Sequence, residues 1–337
     1  MVTSSLPARR VVAAPDKFRG TATAREIADA VSRVAVAAGW RCDAAPVADG
    51  GEGTLEAIGG QVRHARVTGP LGDPVDAEWR MRDDRTAVIE MARASGLELI
   101  GGPEHNDPMQ ASTIGTGELI VAALEAGARR VIVGLGGSAT TDGGLGALRA
   151  FGRHRLHGID VQVACDVTTT FVDAAVVFGP QKGATPAQVE LLRRRLERLA
   201  DVYVRDHGVD VRNIPGSGSA GGLAGGLAAL GAKLIPGFDV VADAIRLDEL
   251  IEDADLVITG EGYLDEQSFA GKAVGGVAEL AREAGVPALA IVGEAEPGAE
   301  VPPGLQVVSL VERFGNDRAL TDVLGCVEAV VEERLRA

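Results

Sequence analysis

RVVAAPDKFRGTATAREIADAVSRVAVAAGWRCDAAPVADGGEGT, residues 10–54, sets the organisation of the chain. Arg10–Ala14 is an apolar run of strand length, PDKFRG is a polar loop, and Ala24–Ala38 carries Ile27, Val31 and Val34 at helical spacing. Thr23 and Glu26 form a capping-box pattern ahead of that helix, and Gly39 closes it. Cys42–Val47 returns as a second strand before another glycine loop, ADGGEGT. The same alternation recurs at Ala87–Met91, Glu118–Glu125, Arg130–Val133, Val161–Ala164, Leu256–Thr259, Ala288–Val292 and Val307–Val311. Strand-to-loop-to-helix order of this kind predicts an α/β fold.

Two later stretches fit that order. Thr185, Pro186 and Gln188 open a further predicted helix with Val189, Leu192, Leu196 and Leu199 facing inward. Gly216–Leu230 is rich in alanine and leucine rather than linker-like, and reads as a close-packed helix entrance. A length of 337 residues suits about two domains. With no linker or repeat in view, the second domain is expected as an insertion in the first.

Composition narrows the function. A formal charge of −15, a pI near 4.8 and 3% aromatic residues argue against a nucleic-acid reader, which presents a basic face or stacking platforms. Cys42, Cys165 and Cys326 lack metal or disulfide spacing. The opening MVTSSLPARR has no apolar core of a signal peptide, and no run reaches the ~18 residues of a membrane span. The expectation is a cytoplasmic protein with small-molecule ligands, no membrane and no nucleic acid. Its oligomeric state is not read from the sequence.

Chemistry concentrates in loops after the strands. GLGGSATTDGG, Gly134–Gly144, follows the apolar Val131–Val133, and its glycines let backbone N–H groups approach an anion beside Ser138, Thr140 and Thr141. Asp142 stands alone among them as an acid, which points to a metal or a substrate hydroxyl nearby and hence to phosphoryl transfer. PDKFRG gathers Asp16, Lys17 and Arg19, where two cations suit a carboxylate or phosphate. ADGGEGT holds Asp49 and Glu52, ACD ends in Asp166, FGPQKGA carries Lys182, and TGEGYLD carries Glu261 and Asp265. His64, His105, His154, His157 and His207 all lie outside these loops, so a Ser-His-Asp hydrolase is not expected.

APDKFRG, VADGGEGT, TGPLGDPV, IEMARASGLEL, TIGTGELI, GLGGSATTDGG, ACDV, FGPQKGAT, GSGSAGG, ITGEGYLD and AGKAVGGVA run in order between residues 13 and 279. In these motifs the chain resembles the type I glycerate kinase family. The resemblance implies a glycerate 2-kinase that uses ATP and Mg2+ to form 2-phosphoglycerate. It also implies an α/β architecture of two domains: an open Rossmann-like or flavodoxin-like parallel sheet, and an inserted α/β domain carrying the glycine-rich loops. The boundaries expected are 1–66 with 285–337 for the first and 67–284 for the insert, with the site in the interdomain cleft. Lys17 and Arg19 stand where the family motif has serine and lysine, and TTTFVD follows ACDV in place of NPL.

No G-x-x-x-x-G-K-[ST] loop is present, because Gly271–Lys272 is followed by Ala273 without the upstream glycine. The phosphates are therefore assigned to Gly136, Gly137, Ser138, Thr140, Gly143 and Lys182. Asp142 is expected as catalytic base together with Lys17, which with Arg19 clamps the acceptor carboxylate. Asp16, Asp49, Glu52 and Asp166 are assigned to substrate, and Glu261 and Asp265 to the metal. Two alternatives stand beside this reading. Gly134, Gly136 and Ala139 fit a G-x-G-x-x-A dinucleotide turn of an NAD(P)-dependent oxidoreductase, and a non-catalytic homologue would keep the fold while binding a metabolite.

Overall fold

The structure, a computed structural model, describes residues 8–151, 156, 158–269 and 272–336. His154, His157 and Gly271 lie outside the described residues. Among the described residues the strands are β1 (Arg10–Pro15), β2 (Arg41–Ala44), β3 (Gln61–Thr68), β4 (Pro74–Met81), β5 (Thr86–Glu90), β6 (Arg130–Gly134), β7 (Asp160–Ala164), β8 (Lys233–Ile235), β9 (Leu256–Leu264), β10 (Ala288–Ala295) and β11 (Leu305–Ser309). The chain forms two compact units. The first takes the described residues up to Asp49, Glu56–Ile58 and those from Val241 onward, and the second takes Gly50–Leu55 and Gly59–Val240.

The sheet of the first unit runs β11-β10-β9-β1-β2, and every neighbouring pair is parallel. Counted along the unit this is the flavodoxin-like order. Its direction reverses between β1 and β9, and in open α/β sheets that reversal, at the carboxyl ends of the strands, is where ligands bind. The helix Ala24–Ala37 connects β1 to β2. Thr23 Oγ1 accepts from Glu26 N at 3.2 Å, and Thr23 N donates to Glu26 Oε2 at 2.8 Å, so the box read in the sequence forms. Its buried face of Ile27, Ala28, Ala30, Val31 and Ala35 shares one core with Val11, Ile258, Leu289 and the Cys326–Val331 stripe of the last helix. Each such Ile or Val adds about 1.5–3 kcal/mol. A charge at Val31 would remove that contribution and bury an unpaired group.

The second unit has the sheet order β3-β4-β5-β6-β7-β8, antiparallel from β3 to β5 and parallel from β5 to β8. TAVIE, RVIVG and DVQVA read as near-continuous apolar runs because these parallel strands are buried on both faces. β3 differs: Arg63, His64 and Arg66 are exposed on an edge strand, where charge discourages pairing with another sheet. The helix Pro186–His207 begins with the Thr185–Gln188 capping box and buries Leu192, Leu196, Leu199, Ala200 and Tyr203, while Val189 is only half-buried.

The domain boundaries depart from expectation at both ends of the insert. β9 is the middle strand of the first sheet, so residues 241–284 belong to the first unit. β3 pairs with β4, which draws residues 59–66 into the second. Sheet partners, rather than sequence patterning, set these limits. No described helix is long and apolar enough to cross a membrane.

Candidate active site

At the switch point of the first unit β1 ends with Pro15 opposite Gly260 of β9, which runs on beside β10, and Asp16 N donates to Gly260 O at 2.8 Å. The next residues, Asp16 and Glu261, therefore emerge together. They line a cavity of about 350 Å³ with Lys17, Arg19, Asp49, Asp265 and Lys272. Asp16 Oδ1 accepts from Lys17 N at 2.6 Å, while Lys17 Nζ lies 3.8 Å from Asp16 Oδ1 and 3.8 Å from Asp49 Oδ1.

The electrostatics of this cluster are those of acids short of positive charge. Burial pushes the Asp16 carboxyl up to about 6, with the Lys17 charge opposing the rise and the Asp49 charge adding to it. Burial likewise raises Glu261 to about 7; a Ser268 hydrogen bond and Lys272 pull it down, while Asp16 and Asp265 push it up. Glu261 Oε1 is buried without a hydrogen-bond partner. An orphaned carboxylate oxygen among raised acids fits a divalent cation. Mg2+ characteristically takes one or two protein carboxylates and completes its shell with phosphate oxygens and water. Among the described residues no group of three or more His, Cys, Asp or Glu side chains is placed to hold a metal ion unaided.

Asp265 is partly committed elsewhere. Its Oδ1 accepts from Ser268 N at 2.9 Å and Ser268 Oγ at 3.1 Å, capping the turn Glu266–Phe269. Of the two acids assigned to metal, Glu261 has the buried oxygen without a partner, while Asp265 keeps Oδ2 outside these bonds. Lys272, singled out in the sequence only to dismiss a P-loop, lines the same cavity.

In the second unit the loop after β6 presents backbone rather than side chains. Leu97 N donates to Gly137 O at 2.8 Å and Ala139 N to Ser95 O at 3.0 Å. Among the described residues the N–H groups of Gly136, Gly137 and Ser138 find no acceptor. Gly137 has φ +70° and is exposed, the left-handed geometry with which successive N–H groups form an anion-binding concavity. Beneath it, Lys182 is buried and Nζ donates to Thr140 O at 2.6 Å and Ser138 Oγ at 3.3 Å. Burial depresses its ammonium to about 7, a shift the Asp142 charge partly opposes.

The carboxylate of Asp142 is occupied. Thr113 N and Oγ1 donate to Oδ2 at 2.9 Å each, Gly146 N to Oδ2 at 3.0 Å and Gly144 N to Oδ1 at 3.0 Å. These bonds tie the end of the glycine loop to the first turn of Leu145–Phe151 and to the Thr113 segment. They form a structural clasp around a half-buried carboxylate that also lines a cavity of about 510 Å³ with Thr141, Leu145 and Arg149. Lys182, expected at phosphate, points into the protein instead.

The other assigned residues are dispersed. Asp166 accepts from Gly237 N at 2.6 Å, and Glu52 is exposed in the turn before Thr54–Ile58. That turn is held by Glu90, a residue the motif reading passed over: buried at the end of β5, its Oε1 accepts from Gly53 N at 3.0 Å and Leu55 N at 3.1 Å. The signal for it was an acid closing the apolar run Ala87–Ile89. Gly143 N donates to Gly221 O at 2.9 Å, so its amide is used in packing rather than offered to phosphate. The dinucleotide reading of Gly134–Ala139 also loses its context: a fingerprint turn opens directly into a helix, and here no helix begins before Leu145.

Acids at the switch point of one parallel sheet and unpaired loop amides after β6 of the other sit where α/β proteins place their ligands. The model of the glycerate kinase family matches residues 11–157 and 152–336. The chain belongs to the glycerate kinase family. It is 42% identical to a glycerate kinase of Halalkalibacterium halodurans, with 86% of this chain and 87% of that protein covered. It is 43% identical to a glycerate 2-kinase of Escherichia coli, with 84% and 85% covered. Its fold is similar to a crystal structure from Salmonella typhimurium provisionally named glycerate kinase 2: TM-score 0.85, 36% identity and 98% of each chain covered.

Proposed function

We propose that this chain is an ATP- and Mg2+-dependent kinase that phosphorylates glycerate on its 2-hydroxyl, giving 2-phosphoglycerate. The observation that carries the chemistry is the buried, unpartnered Glu261 Oε1 beside Asp16 at the switch point. Family membership supports the substrate. With Cys42, Cys165 and Cys326 unbridged, the reading includes a cytoplasmic protein acting on small molecules.

In the first unit, Glu261 would hold Mg2+, with Asp265 alongside. When bound, the ion neutralises charge on the phosphates being transferred. Asp16, raised toward neutrality, is suited to accept the proton of the attacking hydroxyl. Lys17 and Arg19, at the mouth of the same cavity, are the cations for the acceptor carboxylate. In the second unit, the N–H groups of Gly136, Gly137 and Ser138 serve phosphate oxygens as fixed dipoles. Asp142 and Lys182 shape that loop from within.

The test is direct. Purified protein with ATP, Mg2+ and D-glycerate should release ADP and yield a product whose phosphorus resonance couples to the C2 proton. Phosphate on the 3-hydroxyl would overturn the position assigned; no transfer to any small hydroxy acid would overturn the activity.

A further inference from the structure

Two side chains outside the acid cluster act on the glycine loop from behind. Lys182 ends the turn Pro180–Lys182, and its Nζ reaches Thr140 O at 2.6 Å and Ser138 Oγ at 3.3 Å. Asn106 Nδ2 donates to Ala139 O at 3.0 Å and to Lys182 O at 2.8 Å. Two consecutive loop carbonyls, those of Ala139 and Thr140, are thereby drawn inward, and Ser138 Oγ accepts from Thr140 N at 3.1 Å to close the turn. The charged partner of Lys182 at longer range is Asp142. Burying an ammonium against a carbonyl and a hydroxyl is costly even with the Asp142 charge opposing part of the penalty, and an apolar side chain would fill the same space without it. What the lysine adds is direction: it holds the peptide after Thr140 by its carbonyl and, through Ser138 Oγ, also grips the last residue of the amide cradle.

We propose that Lys182 and Asn106 are positioning residues for phosphoryl transfer, fixing the backbone at Ala139 and Thr140 so that the N–H groups of Gly136, Gly137 and Ser138 stay turned toward phosphate. The inference rests on the kinase reading above. Neither side chain touches substrate, and the positive charge of Lys182 acts on the phosphate only through the loop. Ser138 Oγ accepts from both Lys182 Nζ and Thr140 N, and Asn106 holds the Ala139 carbonyl between them, so loosening either anchor frees the end of the cradle at Ser138.

The experiment uses Lys182→Met, which keeps length and removes the donor, Asn106→Ala, and the double variant, each with ATP-Mg2+ and D-glycerate. Both single variants should raise the KM for ATP at least about tenfold, leave the KM for glycerate within about twofold, and raise amide exchange at Gly136–Ser138. The double variant should be no worse than the poorer single one, because both anchors hold one turn. Ethylammonium should partly restore ATP affinity to a Lys182→Ala protein. Unchanged ATP KM in folded variants, or equal losses for ATP and glycerate, would overturn the proposal. Should Lys182→Met fail to fold, Asn106→Ala decides alone. If the wild type binds ATP-Mg2+ without phosphorylating glycerate, the substrate assignment fails, while the same variants still test the cradle through calorimetric ATP affinity.

Discussion

Thr113 donates twice to Asp142, from its backbone N–H and from Oγ1, each at 2.9 Å to Oδ2. The same hydroxyl accepts from Ala147 N at 3.0 Å, so one threonine joins the acid to the helix that follows it. An acid so engaged contributes to stability before it contributes to turnover. Asp142→Asn leaves one carbonyl oxygen for at least four donors and turns an NH2 toward the rest. We expect it to destabilise the protein by roughly 2–4 kcal/mol, with kcat of the folded fraction falling less than about tenfold. Urea unfolding and kinetics at a permissive temperature check this; unchanged stability with a hundredfold loss of kcat would return Asp142 to the role of base.

Glu261 and Asp16 predict a pH signature. Both acids have folded pKa values raised above their unfolded ones, to about 7 and about 6, so the fold binds protons more tightly than the unfolded chain. Their contribution is therefore fully present below about pH 4 and is lost as pH rises through 6 and 7. Without metal, the wild type should lose more Tm between pH 5 and pH 8 than Glu261→Gln. Adding Mg2+ at pH 8 should raise the Tm of the wild type only. Parallel pH profiles for the two proteins would contradict the assignment.

Lys17 sits between two acids, and its charge is among those opposing the rise of Asp16. Lys17→Met should move the acidic limb of kcat/KM to higher pH. It should also raise the KM for glycerate roughly 10–100-fold, as expected for loss of a charge-assisted hydrogen bond of about 1.5–3 kcal/mol. Arg19→Ala should raise that KM and move the limb the same way but by less, since the Arg19 charge opposes the rise of Asp16 more weakly than that of Lys17. A limb that stays in place in Lys17→Met, or moves further in Arg19→Ala than in Lys17→Met, would show that neither acts as described.

Gly221 packs under the glycine loop with φ +66°, and a Cβ there would lie 1.9 Å from Thr140 O. Its neighbour Ala220 already adopts φ 52°, ψ 41°. Gly221→Ala should cost at least about 3 kcal/mol through backbone collision and left-handed strain. Ala220→Gly should be neutral to stabilising by up to about 1 kcal/mol, since relief of strain outweighs the entropy gained by the unfolded chain. Thermal unfolding of the two variants should therefore move in opposite directions.

The sequence by itself determined the pieces that local physics writes. Thr23 with Glu26, and Thr185 with Gln188, specify helix starts because a cap needs only a side chain three residues from an orphan N–H. Apolar runs marked β1, β5, β6, β7, β9 and β10, and the glycine loops after them marked where chemistry gathers. The same patterning missed β3, β4 and β8, where charged, exposed alternation or brevity hides a strand. Only the tertiary structure decided which loops act together. Asp16 and Glu261 meet because β9 pairs with β1 across about 245 intervening residues, and no local signal encodes a partner so distant. Burial was decided there too. It makes Lys182 an inward anchor and commits Asp142 to four nearby donors, while leaving one oxygen of Glu261 unmatched, because desolvation depends on everything packed around a group and not on its neighbours in the chain.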